Sequence, residues 1–262
     1  MLRQYRYTIL RRLSQLTILS FFIMGSIYGL KVLRGNYSSA RVFDVLTLSD
    51  PFAVLQSLVT GNIVGKLALT GALIVALFYA IIGGRAFCGW VCPMSLITGI
   101  GNSIRRAFDI TFSYNADNNT RYLFLILALI VSAIAKVAAF EWISPIGVLH
   151  RGVIFGMSYG WMLIASVLVF DVLLVRNGFC GHLCPLGAFY ALIGRGNLIK
   201  PYYNLSKCTL CMKCLKACPE KQVLNMVSHK SSLVKSGECI QCGRCIEVCD
   251  DNAITFKSRF SK

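Results

Sequence analysis

Eight cysteines near the C-terminus fall into two copies of one spacing, C-x2-C-x2-C-x3-C. The first copy is Cys208, Cys211, Cys214 and Cys218; the second, 31 residues on, is Cys239, Cys242, Cys245 and Cys249. Three thiolates from one tight loop can hold three irons of a cubane, and in chains with two such runs the fourth cysteine of each run ligates the other cluster. The spacing therefore predicts two 4Fe–4S clusters. One sits on Cys208, Cys211, Cys214 and Cys249, the other on Cys239, Cys242, Cys245 and Cys218. Zinc would use paired C-x2-C motifs but would leave the third cysteine and the x3 interval unexplained. Disulfides do not suit a compartment that keeps thiols reduced. Asp250 stands where the first run has Pro219. Proline donates no electron pair, so ligation survives, and the carboxylate adds negative charge that lowers that cluster's potential.

Four further cysteines form a second repeat. Arg85-Ala-Phe-Cys88-Gly-Trp-Val-Cys92-Pro93 matches Asn177-Gly-Phe-Cys180-Gly-His-Leu-Cys184-Pro185 at an offset of 92 residues. Upstream, Asp50-Pro51 matches Ser144-Pro145 at an offset of 94. A proline forces the preceding cysteine toward extended backbone and can open a following helix. Gly89 and Gly181 give the chain room to turn. Three readings of Cys88, Cys92, Cys180 and Cys184 stand side by side. They hold a third cluster, they form redox or docking dithiols, or they are buried cysteines at tight turns.

Composition sets the expected frame. Hydrophobic residues make up 56% of the 262 and charged residues 15%, against about 25% charged in an ordinary soluble domain. Apolar stretches run from Leu13 to Leu30, Leu67 to Gly84, Tyr122 to Phe140 and Gly152 to Val175. Each approaches the roughly 20 residues that a helix needs to cross a bilayer. The first is too long for a signal-peptide core and lacks a small-x-small cleavage site. The predicted fold class is mainly α. It is a polytopic membrane bundle of four transmembrane helices in two pseudo-symmetric halves over residues 1–200, followed by a small α+β two-cluster ferredoxin-like domain over 201–262. Basic residues concentrate before the first stretch, between the second and third, and after the fourth. By the positive-inside rule this predicts a multi-pass protein of the bacterial inner membrane, in contact with lipid, with both termini cytoplasmic. That distribution accounts for the net charge of +16, and no nucleic-acid partner is needed to explain it.

With these motifs the chain resembles the NapH/MauN family of membrane-bound ferredoxin-type proteins over its whole length. Relatives of the NosR and CcoG types share single motifs but add a flavin-binding or an immunoglobulin-like domain for which there is no room here. The resemblance implies a quinol dehydrogenase component. It would oxidise menaquinol or ubiquinol and pass electrons to a partner iron–sulfur subunit (NapG-like) that feeds a periplasmic reductase, nitrate reductase by the resemblance.

A quinol gives up two protons with its two electrons, so a base is expected near its hydroxyls. Candidates are His182 beside Cys180 and Cys184, Asp171 near the end of the fourth stretch, and His150 with Arg151 and Glu141. Asp50 occupies the matching loop of the first half. Each has a plainer reading: Asp171 as a residue reaching for the interface, His182 as a satisfied turn histidine, His150 as a loop histidine. Trp90, Met94 and Phe179 near the same bends either wall a pocket for a flat ring or simply pack. Two other functions compete with the dehydrogenase: an assembly or maturation factor that reduces a metal or cofactor, and a scaffold that docks a soluble iron–sulfur subunit. Transport has less support, because no buried charge pair or broken-helix pattern appears at mid-stretch.

Overall fold

The structure is a computed structural model describing residues 5–29, 32–110, 112, 114, 117, 119–156 and 159–260. Leu30, the end of the first apolar stretch, lies outside the described residues. The helices are α1 (Arg6–Ile27), α2 (Pro51–Val59), α3 (Lys66–Ile82), α4 (Ala86–Trp90), α5 (Met94–Ala107), α6 (Thr120–Ala135), α7 (Ala139–Ile143), α8 (Pro145–Phe155), α9 (Gly160–Leu173), α10 (Pro185–Ile193), α11 (Lys213–Ala217) and α12 (Arg244–Glu247). Two three-stranded antiparallel sheets accompany them. The first is a meander of β1 (Leu33–Gly35), β2 (Ser39–Val42) and β3 (Leu46–Ser49). The second, in the order β5-β4-β6, contains β4 (Ile199–Tyr203), β5 (Ser232–Leu233) and β6 (Ile254–Ser258).

The chain is mainly helical, but the four-span membrane bundle is corrected. Among the described residues no helix is long and apolar enough to cross a membrane. The expected multi-pass inner-membrane placement, with its lipid contact and cytoplasmic termini, falls with it. Each apolar stretch is interrupted or punctuated. Helix α3 has 17 residues and stops before Gly83-Gly84. Helix α6 has 16 residues and ends at Lys136, whose backbone is left-handed at φ 57°. The fourth stretch divides at Gly156, φ 94°, between the end of α8 and the 14-residue α9. At 1.5 Å per residue these helices are about 21–26 Å long, against a hydrocarbon core of about 30 Å. Helix α1 has the length, at 22 residues, but it carries Arg6, Arg11, Arg12 and Gln15, with Arg11 and Gln15 buried in the protein.

Two compact units emerge: residues Met1–Ser14, Phe78–Val91 and Tyr190–Lys262 in one, Gln15–Leu77 and Cys92–Phe189 in the other. In the first, β4 pairs along its whole length with β6, Tyr203 opposite Ile254 and Ile199 opposite Ser258. Tyr203, Val223, Leu224, Val234 and Ile254 form its core. Of the two short apolar runs after the cysteine motifs, Ala253–Phe256 lies largely in β6, whereas Gln222–Met226 is a 3-10 turn and loop. The partner of β6 is instead the segment ahead of the first motif.

In the second unit the matched Asp-Pro and Ser-Pro pairs open helices rather than loops. Asp50 caps α2, its carboxylate accepting from Ala53 N at 3.1 Å, and Pro51 fills the first turn. Pro145 does the same in α8. A proline loses nothing there, since the first-turn N–H has no helical partner. Phe52 is fully buried against Phe140 and Phe189, with ring centroids 5.8 and 5.6 Å away. Arg105 of α5 closes the end of α9 by donating to the carbonyl oxygens of Val172 (2.6 Å) and Asp171 (3.4 Å), groups that a helix C-terminus leaves without backbone partners.

Candidate iron–sulfur centre

Both cysteine runs fold into the same turn. In the first, Leu210 and Met212, the residues flanking Cys211, have φ of 58° and 57°; in the second, Gln241 and Gly243, flanking Cys242, have 50° and 71°. Alternating right- and left-handed backbone curls the chain so that its N–H groups point inward, an arrangement that favours anionic groups. The Leu210 N–H donates to Cys208 Sγ at 3.3 Å, and the Gln241 N–H bonds Cys239 in the same way. Each run then enters a short helix, α11 or α12, which buries its third cysteine, Cys214 or Cys245.

The fourth cysteine of each run faces the other run. Cys218 lines one cavity together with Cys239, Cys242 and Cys245. Burial pushes the Cys218, Cys239 and Cys245 thiols up, Cys239 to about 12, and repulsion reinforces it: Cys218 feels Cys242 and Cys239, and Cys245 feels Cys242, Cys239 and Cys218. On the other side, burial also raises Cys214, whose sulfur neighbours are Cys249 and Cys208. The segment after Cys249 returns to the first loop. Asp251 accepts from Thr209 N and Oγ1 at 3.0 and 2.6 Å, and Asp250 pairs with Lys213 at 2.6 Å. The carboxylate that replaces proline therefore comes with its own counter-charge.

Four sulfurs around one cavity, three of them from buried residues, suit a polynuclear cation. Among the described residues no group of three His, Cys, Asp or Glu side chains is placed to hold a single metal ion. All twelve cysteines are outside disulfides. The residues present fit 4Fe–4S clusters in donor type, burial and turn geometry.

Basic side chains enclose the second loop. Arg85, almost fully buried, donates from Nη1 to Glu220 Oε1 at 2.6 Å and to the Glu238 carbonyl at 3.0 Å, and its charge reaches Cys239. Arg11, also buried, donates from Nε to the Gly89 carbonyl at 2.9 Å and from Nη1 to the Cys242 carbonyl at 3.5 Å. Gly89 has a reason beyond turning: a Cβ there would lie 2.4 Å from the Ile240 carbonyl oxygen.

Comparison with known proteins agrees with the motifs. The family model described as a 4Fe-4S dicluster domain matches residues 200–250. The model described as a 4Fe-4S binding domain matches twice, over 64–111 and 157–202, each match containing one C-x3-C-P motif. The chain is 40% identical over 99% of its length to the ferredoxin-type protein NapH of Escherichia coli, covering 92% of that protein. It is 41% identical over 97% to the NapH of Haemophilus influenzae, covering 91%. It is 40% identical over 99% to the methylamine utilization ferredoxin-type protein MauN of Methylorubrum extorquens, covering 91%. The chain belongs to the NapH/MauN family. No solved structure matches it.

The proton-acceptor candidates do not gather at the cysteine-lined cavity. His150 is buried in α8, edge-on to Phe22 and Tyr37 at 4.9 and 5.1 Å, and its Nε2 has no hydrogen-bond partner. Burial, then Arg151, pushes it down to about 4. Asp171 is buried in α9, accepting from Phe179 N at 3.0 Å. Burial pushes it up to about 6, against hydrogen bonds from Phe179 and Gly178 and the charge of Arg105. His182 is half-buried, its Nδ1 3.4 Å from the Asp117 carbonyl. Asp50 is a helix cap, and Glu141 accepts from Ser38 Oγ. Cys88 lies in α4 and Cys180 in the π-turn Phe179–Leu183, while Cys92 and Cys184 are buried just beyond. Met94 and Phe179 are packed away from solvent. Of the three proposed ring-pocket residues, Trp90 lines a cavity of the first unit. Sequence reasoning did not pick out Arg11, Glu220 or Gln241. The only local signal was the position of Glu220 and Gln241 within two residues of a cysteine.

Proposed function

We propose that this family member is an electron-transfer protein that takes electrons from a quinol and hands them to a partner iron–sulfur protein feeding a periplasmic reductase, nitrate reductase by the family resemblance. The observation that carries the electron-transfer part is the single cavity shared by Cys218, Cys239, Cys242 and Cys245. It supports the crossed set for one cluster. The return of Asp250 and Asp251 to the first loop supports the other, on Cys208, Cys211, Cys214 and Cys249. When bound, such clusters accept or release one electron at a time.

The chain's own residues set the conditions. The left-handed residues Leu210 and Gln241 donate their N–H groups to the sulfurs of Cys208 and Cys239. Tyr203, Val234 and Ile254 keep water from the inner side of the loops. Arg11 places positive charge beside the second set, which favours added electrons there, while Glu220 balances the charge of Arg85. Cys88, Cys92, Cys180 and Cys184 are proposed as further iron ligands, on the support of the twofold family-model match.

The test is anaerobic purification of the full chain, assay of iron and acid-labile sulfide, and EPR after addition of a menaquinol or ubiquinol analogue. Reduced 4Fe–4S signals on quinol addition support the reading. Clusters that dithionite reduces and neither quinol reduces would overturn the quinol step and favour the maturation or scaffold function.

A further inference from the structure

The first unit holds a second, larger cavity of about 400 Å³, separate from the cysteine-lined one. Five aromatic side chains line it: Tyr7 of α1, Phe78 and Tyr79 of α3, Trp90 of α4 and Phe256 of β6. The remaining wall is aliphatic except for Gln241. Ligand sites are usually apolar cavities of about 300–1,000 Å³ with a few placed polar groups, and this one has that make-up. Tyr7 stands edge-on to Phe256 at 5.6 Å, and Phe78 edge-on to Tyr79 at 5.2 Å. Rings held at right angles present both faces and edges, which suits a flat aromatic guest.

Gln241 connects this cavity to the cluster loop, because it lies between Cys239 and Cys242. Its position is built rather than incidental. Its backbone is left-handed, and a Cβ on Gly83 would lie 2.2 Å from both terminal atoms of its carboxamide. Its Nε2 donates to the carbonyls of Ile82 (3.0 Å) and Ile199 (2.6 Å), and Trp90 Nε1 donates to its backbone carbonyl at 3.1 Å. The Gln241 side chain is buried, and with Nε2 engaged its carboxamide oxygen is the group left to accept from a ligand. Tyr7 is tied to the same loop: Gly243, the next left-handed residue, has no Cβ because one would meet the Tyr7 ring at 2.4 Å.

We propose that this aromatic cavity binds the ring of the quinol, with the Gln241 carboxamide oxygen accepting from a ring hydroxyl. The inference rests on the quinol reading above and adds the place. It moves the expected ring site away from His182, Asp171 and His150 and onto Trp90, Tyr7 and Gln241. An electron donor seated there meets a residue adjacent to Cys242 and two from Cys239.

The test uses the full chain with its clusters reduced by dithionite, titrated anaerobically by calorimetry with ubiquinol-1, whose ring hydroxyls can donate to Gln241 and which reduced clusters cannot oxidise. One saturable site is expected. Ala86→Phe fills the cavity from α4 and is expected to weaken binding roughly tenfold or more. Phe78→Ala, at a half-exposed wall position, is expected to weaken it roughly threefold to tenfold. Parent-like binding by Phe78→Ala and by any folded Ala86→Phe protein, with EPR still showing reduction by quinol, would overturn the cavity alone. A parent chain that neither binds ubiquinol-1 nor, with its clusters oxidised, is reduced by quinol would overturn the quinol reading and the cavity with it.

Discussion

Arg85 Nη1 lies 2.6 Å from Glu220 Oε1, and both side chains are closed off from water. Arg85 precedes a C-x3-C-P motif and Glu220 follows the last cysteine of the first ferredoxin run, so the pair joins segments 135 residues apart. Gln222 adds a donor to the other carboxylate oxygen at 2.6 Å. Removing one member of a buried pair strands the other charge and typically costs about 3–5 kcal/mol, whereas replacing both costs far less. Arg85→Met is therefore expected to lower stability by about that amount and Arg85→Met/Glu220→Gln to recover part of it. Denaturant midpoints of the anaerobic proteins check this. A double variant as unstable as the single one would mean the pair is not the source.

The two cluster loops differ in charge. Arg11 is buried at the second, where the Arg85–Glu220 pair is neutral overall, and the Lys213–Asp250 pair at the first is exposed and likewise neutral. Positive charge near a cluster favours its reduced state. Arg11→Gln should lower the midpoint potential of one cluster and leave the other within error. An EPR-monitored redox titration reads both, and equal shifts in the two would contradict the assignment of Arg11 to the second loop.

His150 and Asp171 oppose each other in the pH dependence of stability. The folded state holds His150 near 4, below its ordinary 6.5, so the unfolded chain binds the extra proton and stability is lost as pH falls from 6.5 toward 4. Asp171 is held near 6, above its ordinary 3.8, so the folded chain binds the extra proton and stability is lost as pH rises from 3.8 toward 6. Each effect is on the order of 3 kcal/mol. His150→Phe, which suits the ring cluster of Phe22 and Tyr37, should gain on the parent as pH drops below 6.5. Asp171→Asn should gain on the parent as pH rises above 4. Melting temperatures relative to the parent across pH 4–7 test both, and flat differences would remove the two groups as buried titrating sites.

Cys180 and Cys184 are expected to carry iron. The full chain should hold about twelve irons, and Cys180→Ser/Cys184→Ser should lower that by about four while the tail's share of about eight remains. Iron and sulfide assays on the pair of proteins decide it. Unchanged iron would return these thiols to dithiol chemistry or packing.

Much of the cysteine chemistry was legible because a ligand is a residue type at a fixed spacing, and the turn that serves it repeats with the spacing. Helix lengths were not. Composition stays apolar through Gly83-Gly84, Lys136 and Gly156, while the backbone stops at each. The β1–β3 meander was not read from the sequence either: its strands have three or four residues, too few for an alternating pattern to stand out. The aromatic cavity is assembled from Tyr7, the segment from Phe78 to Trp90, Gln241 and Phe256. No local pattern marks residues that meet only when three distant stretches fold together.

The sharing of one cavity by Cys218 and the three later cysteines bears on how the protein is made in the cell. While the chain emerges from the ribosome, the first run appears complete, yet its last thiol belongs with partners not yet synthesised. The first run's own cavity must likewise wait for Cys249, and β4 for β6, at the far end of the tail. Iron delivered to a nascent chain would meet a half-set and close the wrong four thiols. On the crossed assignment a truncation just before Cys239 should leave neither tail cluster with its four ligands, while the roughly four irons proposed for the C-x3-C-P cysteines remain.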